Sequence, residues 1–242
     1  MWAVQLRSLL WLRLRRSRFV SRPNRFLVIA ESDGDLLRLH NRNTGRLGEL
    51  LRPGADLLYA PKESGRGSST SGTLIGVSTD EGLALVDPPT QAKAFELAWR
   101  RGYVNWLSGW CPTRTEVKVR GVKLDYEMLG HKGMVGYLEL KSAVYLDQLG
   151  RCSYPDAPSE RGLKHVRALE VLRGEGRRSV IAFVVAHPSC RAFRPFVERH
   201  PELASELARA SEAGVEVRAM RVLLGTEGSV SLDEPDLPVL LA

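Results

Sequence analysis

Val122-Lys123-Leu124-Asp125-Tyr126-Glu127-Met128-Leu129 alternates in polarity, with Val122, Leu124, Tyr126 and Met128 on one side and Lys123, Asp125 and Glu127 on the other. That period of two is the signature of a β-strand. Gly130-His131-Lys132-Gly133-Met134 follows as a hairpin loop. In the returning strand Glu139 and Lys141 share a face, with Leu140 behind them. A loop centred on Lys132 pairs Asp125 directly with Glu139, which brings their Cβ atoms to about 5 Å.

Like charges so close are unfavourable unless something positive lies between them. Mg²⁺ suits the position, because it takes one or two carboxylates together with waters and phosphate oxygens. Two acids, a divalent cation and Lys141 form a sensible set for attack on a phosphodiester. The metal polarises a phosphoryl oxygen and acidifies a bound water, and the lysine orients that water or offsets transition-state charge. The plainer reading is a half-buried hairpin with a Glu–Lys pair on its wet face. Spacing alone leaves both readings open.

Downstream stands Tyr154-Pro155-Asp156-Ala157-Pro158-Ser159-Glu160-Arg161-Gly162-Leu163-Lys164-His165. Upstream stand Arg22-Pro23-Asn24-Arg25-Phe26, Asn43-Thr44-Gly45-Arg46-Leu47, Glu49-Leu50-Leu51 and Pro53-Gly54. Together with the D…E-x-K hairpin, these motifs resemble the sugar fermentation stimulation protein A family, in colinear order from about residue 20 to about residue 222. The resemblance implies an N-terminal OB-like β-barrel, a C-terminal PD-(D/E)xK nuclease-like domain and binding to DNA. The chain departs from the family pattern at Lys123, where an arginine is usual, and at Gln91, where an asparagine is usual.

Charge is distributed unevenly. The chain has 242 residues, 43% hydrophobic and 26% charged, with 35 basic and 28 acidic residues and a net charge of +7. Seven arginines (Arg7, Arg13, Arg15, Arg16, Arg18, Arg22 and Arg25) and no acid fall in the first 25 residues, so the remainder is balanced. Such a cluster attracts a polyanion or an acidic membrane surface; otherwise it is a solvated, frayed start. Arg7 and Arg13 interrupt the apolar run from Trp2 to Leu14, which argues against a membrane span or a signal peptide. Cys111, Cys152 and Cys190 are scattered, without metal-ligand spacing, and point to a reducing cytoplasm.

Residues 1–87 read as β-rich. Strands are expected at Phe26–Ala30, Leu36–His40, Asp56–Tyr59, Thr73–Ser78 and Leu83–Val86, with a short helix at Arg46–Leu51 and a flexible loop from Ser64 to Gly72. Short strands with frequent turns argue for a small barrel. Phe19, Phe26 and Tyr59 are its candidate stacking aromatics, each read as core. Asp87-Pro88-Pro89 marks the boundary. Residues 88–242 then read as helix (Thr90–Arg101), strand hairpin, helix (Ser159–Arg173), apolar central strand (Ser179–Ala186), helix (Pro201–Ala213) and strand (Val215–Leu223). Trp106 and Trp110 read as core, and Glu96 and Glu116 as solvated acids that are candidates for a third acidic group.

The expected fold is therefore α/β (α+β): an OB-like β-barrel over residues 1–87, then a PD-(D/E)xK nuclease-like mixed sheet flanked by helices over 88–242. The expected protein is cytoplasmic and binds DNA, single- or double-stranded, with no membrane partner. Its site would be a metal-dependent nuclease of the PD-(D/E)xK type, with Asp125 and Glu139 ligating Mg²⁺, Lys141 orienting water, and Asp156 and Glu160 in support. Arg161, Lys164 and His165 stand at i, i+3 and i+4 as one basic helix face for phosphate, joined by Arg22, Arg25 and Arg46. His165 is read as a structural or phosphate hydrogen-bonding group rather than a general acid. The alternative is a non-catalytic DNA-binding transcriptional regulator with a vestigial nuclease site. An RNA-directed module is a third reading.

Overall fold

The computed structural model describes residues 6–62 and 69–241, so residues 64–68 of the expected Gly/Ser loop lie outside the described residues. The arginine-rich start is not a tail. It forms two strands, β1 (Arg7–Trp11) and β2 (Arg15–Asn24). β2 opens a barrel with β3 (Leu27–Ser32), β4 (Asp35–His40), β5 (Asp56–Pro61) and β6 (Gly72–Thr79). Antiparallel pairings join β4 to β3, β3 to β2, β2 to β5 and β5 to β6. A short parallel contact, Leu39↔Gly72 and His40↔Thr73, closes the ring. Strand β7 (Gly82–Leu85) extends it beyond β6. Ser17 and Phe19 point into the barrel while Arg16 and Arg18 are exposed, so alternation keeps the arginines in water.

The expected helix at 46–51 is a turn. Leu47 has φ +52°, a left-handed value that cannot propagate a right-handed helix. Its side chain is buried all the same, so the turn is anchored rather than loose.

Pro88 begins the second half with helix α1 (Pro88–Arg100). Asp87 caps it, accepting from Thr90 N–H at 3.0 Å and Thr90 Oγ1 at 2.6 Å, and proline occupies the first turn. The remaining elements are β8 (Cys111–Val119), β9 (Val122–Leu129), β10 (Val135–Ala143), β11 (Tyr145–Leu146), β12 (Arg151–Tyr154), α2 (Glu160–Gly174), β13 (Arg178–Val185), β14 (Ala192–Pro195), α3 (Pro201–Glu212), β15 (Glu216–Leu224) and β16 (Ser229–Glu234). The main sheet has seven strands in the order β1-β16-β15-β13-β10-β9-β8. Apolar β13 is central and runs parallel to both neighbours, β10 and β15. A small sheet, β11-β12-β14, stands beside it. An OB-like barrel followed by a mixed sheet flanked by helices, as expected from the sequence, is the architecture observed.

One assignment needs correction. Residues 7–11 fall before the barrel in sequence but pair antiparallel with β16, at the edge of the C-terminal sheet. Leu9 is their anchor, 4% exposed in a core that runs from the barrel (Val28, Leu57, Ile75) to the α1 face of the sheet (Phe95, Tyr126, Leu138, Val222). A second core lies on the opposite face under α2 and α3, with Leu163, Val166, Leu169, Phe183 and Leu207. The sheet is thus covered by the barrel and α1 on one side and by two helices on the other. Leu9→Ala should lower unfolding free energy by about 2–4 kcal/mol, measured by urea denaturation. A frayed start would leave the midpoint unchanged.

Candidate functional site

The register of β9 and β10 runs Leu129↔Val135 to Tyr126↔Leu138, as a loop centred on Lys132 requires. Continued by one step, it sets Asp125 opposite Glu139. There the backbone ladder ends and side chains take over. Asp125 N–H donates to Glu139 Oε2 at 3.2 Å, and Leu140 N–H donates to Asp125 Oδ2 at 2.7 Å. On the other flank, pairing with β8 passes from Thr115↔Tyr126 to Val117↔Leu124, leaving Glu116 and Asp125 unpaired across the ladder, and the φ of Glu116 is +53°. The strand turns over at this break. Tyr126 and Met128 join the α1 core while Leu124 joins the α2 core, which corrects the unbroken alternation read from sequence.

Glu139 is 2% exposed. Its Oε1 accepts from Lys141 Nζ and from His165 Nδ1. His165 is also 2% exposed, so it leaves the basic face of α2 expected from its spacing. Arg161 Nε lies 3.3 Å from His165 Nε2. Arg161 and Lys164 themselves are exposed. Helix α2 is fixed at its start by Ser159, whose Oγ accepts from Gly162 N–H at 3.0 Å and meets Tyr154 OH at 3.1 Å. A Cβ at position 162 would lie 2.8 Å from Ser159 Oγ and 3.0 Å from the Tyr154 hydroxyl, which accounts for glycine there. The Tyr154–Pro155 peptide is cis.

Electrostatics separate the two acids. Burial, and then the charge of Glu139, push Asp125 up to about 6. Burial also pushes Glu139 up, but hydrogen bonding from His165 and the charge of Lys141 outweigh it and hold Glu139 below its ordinary range. Among the described residues no group of three or more His, Cys, Asp and Glu side chains is arranged to hold a metal ion. Two carboxylates match the needs of Mg²⁺, which completes its shell with water and phosphate, and fall short of a zinc ligand set.

The other expected residues serve elsewhere. Asp156 turns to the barrel, where its Oδ2 accepts from Leu47 N–H at 3.2 Å. A Cβ on Gly45 would lie 2.3 Å from that carboxylate, so only glycine admits it. Glu160 is exposed in the first turn of α2, where the helix dipole favours an acid. Arg22 clamps the 43–46 loop, donating to the carbonyls of Arg46, Gly45 (2.8 Å), Asn43 (3.3 Å) and Arg25 (3.2 Å). Burial lowers its pKa, against the opposing charge of Asp156. Arg25 and Arg46 are exposed, and the Arg25 guanidinium sits 4.7 Å from the ring of Phe26. Phe26 is 47% exposed, unlike buried Phe19 and Tyr59. Glu116 pairs with Lys123 at 2.6 Å and Glu96 with Arg100 at 2.8 Å. Sequence reasoning missed the bidentate pair of Arg42 with buried Asp87, at 2.7 and 2.6 Å; the Asp-Pro-Pro-Thr capping pattern was its available signal.

A cleft of about 1450 Å³ lies between barrel and small sheet and is not lined by Asp125, Glu139 or Lys141. Its walls mix Arg52, Arg151, Arg191 and Arg194 with Glu49, Asp80, Glu81, Asp147, Asp156 and Glu198, a balance that does not favour a polyanion. The carboxylate pair is the stronger chemical candidate. No helix among the described residues is long and apolar enough to cross a membrane.

Two family models match the chain: the SfsA N-terminal OB domain over residues 20–86 and the sugar fermentation stimulation protein RE domain over residues 90–228. A sugar fermentation stimulation protein homolog of Archaeoglobus fulgidus is 39% identical over 224 residues, covering 93% of this chain and 94% of its own. One from Pyrococcus furiosus is 34% identical over 212 residues, covering 88% and 90%. The structure of Pyrococcus furiosus SfsA in complex with Ca²⁺ superposes with a TM-score of 0.90 at 32% identity, over 96% of this chain and 99% of that one.

Asp125 makes the site pH-dependent. Its carboxyl titrates at 3.8 ordinarily and at about 6 here. Folding therefore favours the protonated form, a contribution complete below pH 3.8 and lost as pH rises through about 6. In EDTA, Asp125→Asn should be more stable than wild type above pH 7 by up to about 3 kcal/mol, with the gain vanishing near pH 4. Urea denaturation at both pH values checks this. An equal difference at both would mean that the charge is not responsible.

Proposed function

This chain belongs to the sugar fermentation stimulation protein family, and from that premise and the site geometry we propose that it binds DNA and holds a divalent cation, Mg²⁺ in function, for phosphodiester cleavage. The observation that carries the reading is the pair Asp125 and Glu139, set side by side at a break in two strand ladders. A buried acid pushed up to about 6 beside a buried carboxylate is an arrangement that a cation relieves. The Ca²⁺ complex of the Pyrococcus furiosus relative supports the choice of a hard, oxygen-seeking ion.

When bound, the cation supplies Lewis-acid polarisation of a phosphoryl oxygen and acidifies a water. The remaining work belongs to the chain. Lys141 Nζ, held at Glu139 Oε1, orients the attacking water and offsets negative charge as it develops. Arg161 and Lys164, exposed on α2 beside the site, hold the backbone phosphates. On the barrel side, exposed Arg13, Arg15 and Arg16 supply a sequence-independent attraction, and Arg25, Phe26 and Arg46 add a basic edge with one accessible ring.

A non-catalytic DNA-binding regulator is favoured by one observation, that Lys141 is drawn onto Glu139 and is only 9% exposed. Labelled single- and double-stranded DNA incubated with Mg²⁺, Mn²⁺ or EDTA separates the two. The nuclease reading expects metal-dependent cleavage, abolished in Glu139→Gln and slowed about 100- to 10,000-fold in Lys141→Ala. Binding without cleavage would favour the regulator. Because residues 7–11 carry a sheet strand, the arginines are tested by substitution rather than deletion. Arg13, Arg15 and Arg16 replaced together by Gln should flatten the slope of log affinity against log salt by about 2–3. An unchanged slope would remove them from the interface.

A further inference from the structure

We propose that His165, held in a single tautomer by Arg161, is the positioning residue that aims Glu139 at the divalent cation. The inference rests on the cation reading above and adds a specific device to it. A carboxylate oxygen can only accept, so the contact between Glu139 Oε1 and His165 Nδ1 requires a proton on Nδ1. Arg161 Nε can only donate, so its 3.3 Å contact requires a lone pair on Nε2. The two requirements select the same neutral ring. Lys141 Nζ, 3.2 Å from Nδ1, then shares Oε1 with the ring rather than bonding to it.

The ring is fixed as well as polarised. His165 lies between Leu163 and Val166, both buried in the α2 core, and is itself 2% exposed. With Lys141 and His165 both on Oε1, the Glu139 carboxylate cannot swing, and Oε2 is held toward Asp125. Two donors at different angles orient a carboxylate where one would leave it free to pivot. Lys141 brings positive charge to the buried acid, and the histidine, as a second donor on the same oxygen, fixes its direction. Outer partners of this kind set metal affinity in known centres.

Calorimetry with Mn²⁺ and Ca²⁺ on the full chain tests the assignment, using wild type, His165→Leu, His165→Asn and Arg161→Ala. His165→Leu should weaken metal binding about 10- to 100-fold. His165→Asn, whose amide N–H replaces the Nδ1 donor, should recover most of the affinity. The thermal midpoint monitors the fold of each variant, and DNA affinity in EDTA monitors that of the two His165 variants. Long-range ¹H–¹⁵N spectra should show the Nδ1–H tautomer in wild type and a mixture in Arg161→Ala. Equal metal affinity in His165→Leu and wild type would overturn the proposal, as would equal weakening by Leu and Asn, or an Nε2–H ring. Failure of the wild type to bind either metal would instead overturn the cation reading itself, and this inference with it.

Discussion

A carboxylate with 2% of its surface in contact with water cannot remain ionised without partners, and Glu139 is the group around which the C-terminal half is arranged. Taking such a charge out of water costs several kcal/mol. Strand β10 brings Lys141 to the same face, and α2 delivers His165 from the helix above. The histidine contact is possible only because α2 lies across β9 and β13 at the observed position. The ladder break at Asp125 has the same origin. Two acids facing each other cannot complete ordinary strand pairing, so Asp125 and Glu139 each accept a hydrogen bond from the other strand's backbone instead.

The two halves of the chain are one packing problem. The barrel core and the α1 face of the sheet form a single apolar cluster. Strand β1 crosses from the start of the chain to cover the β16 edge, which would otherwise expose unpaired backbone. Asp156 then ties the loop before α2 to the barrel at Gly45 and Leu47, where Arg22 clamps the 43–46 loop that receives it. The motif residues shared between the halves therefore meet physically. Their contribution to the carboxylate pair is indirect, through the placement of α2.

Much of this was legible in the chain. Alternation and a five-residue loop set the hairpin register, because a one-residue slip would turn Glu139 and Lys141 into the α1 core. The unbroken apolar run of β13 marked the sheet centre, and proline and capping residues marked α1 and α3. The arginine-rich strands were not legible, since Arg15, Arg16 and Arg18 hide an alternation that only Ser17 and Phe19 carry. Nor was the turn at Leu47, an apolar residue in a conformation that usually selects glycine or asparagine.

By itself the sequence determined which side chains could form a site: a paired Asp and Glu, a lysine two residues on, and a helix bearing arginine, lysine and histidine. Local periodicity suffices for that, because strand and helix faces depend on spacing within a few residues. Only the tertiary structure decided their duties. His165 went inward to Glu139, Arg161 and Lys164 stayed in water, Arg22 became a clamp within the barrel and Asp156 a tie between the halves, and β1 left the barrel for the sheet. Those outcomes depend on which buried polar groups must be satisfied by residues distant in sequence, a condition that spacing along the chain does not express.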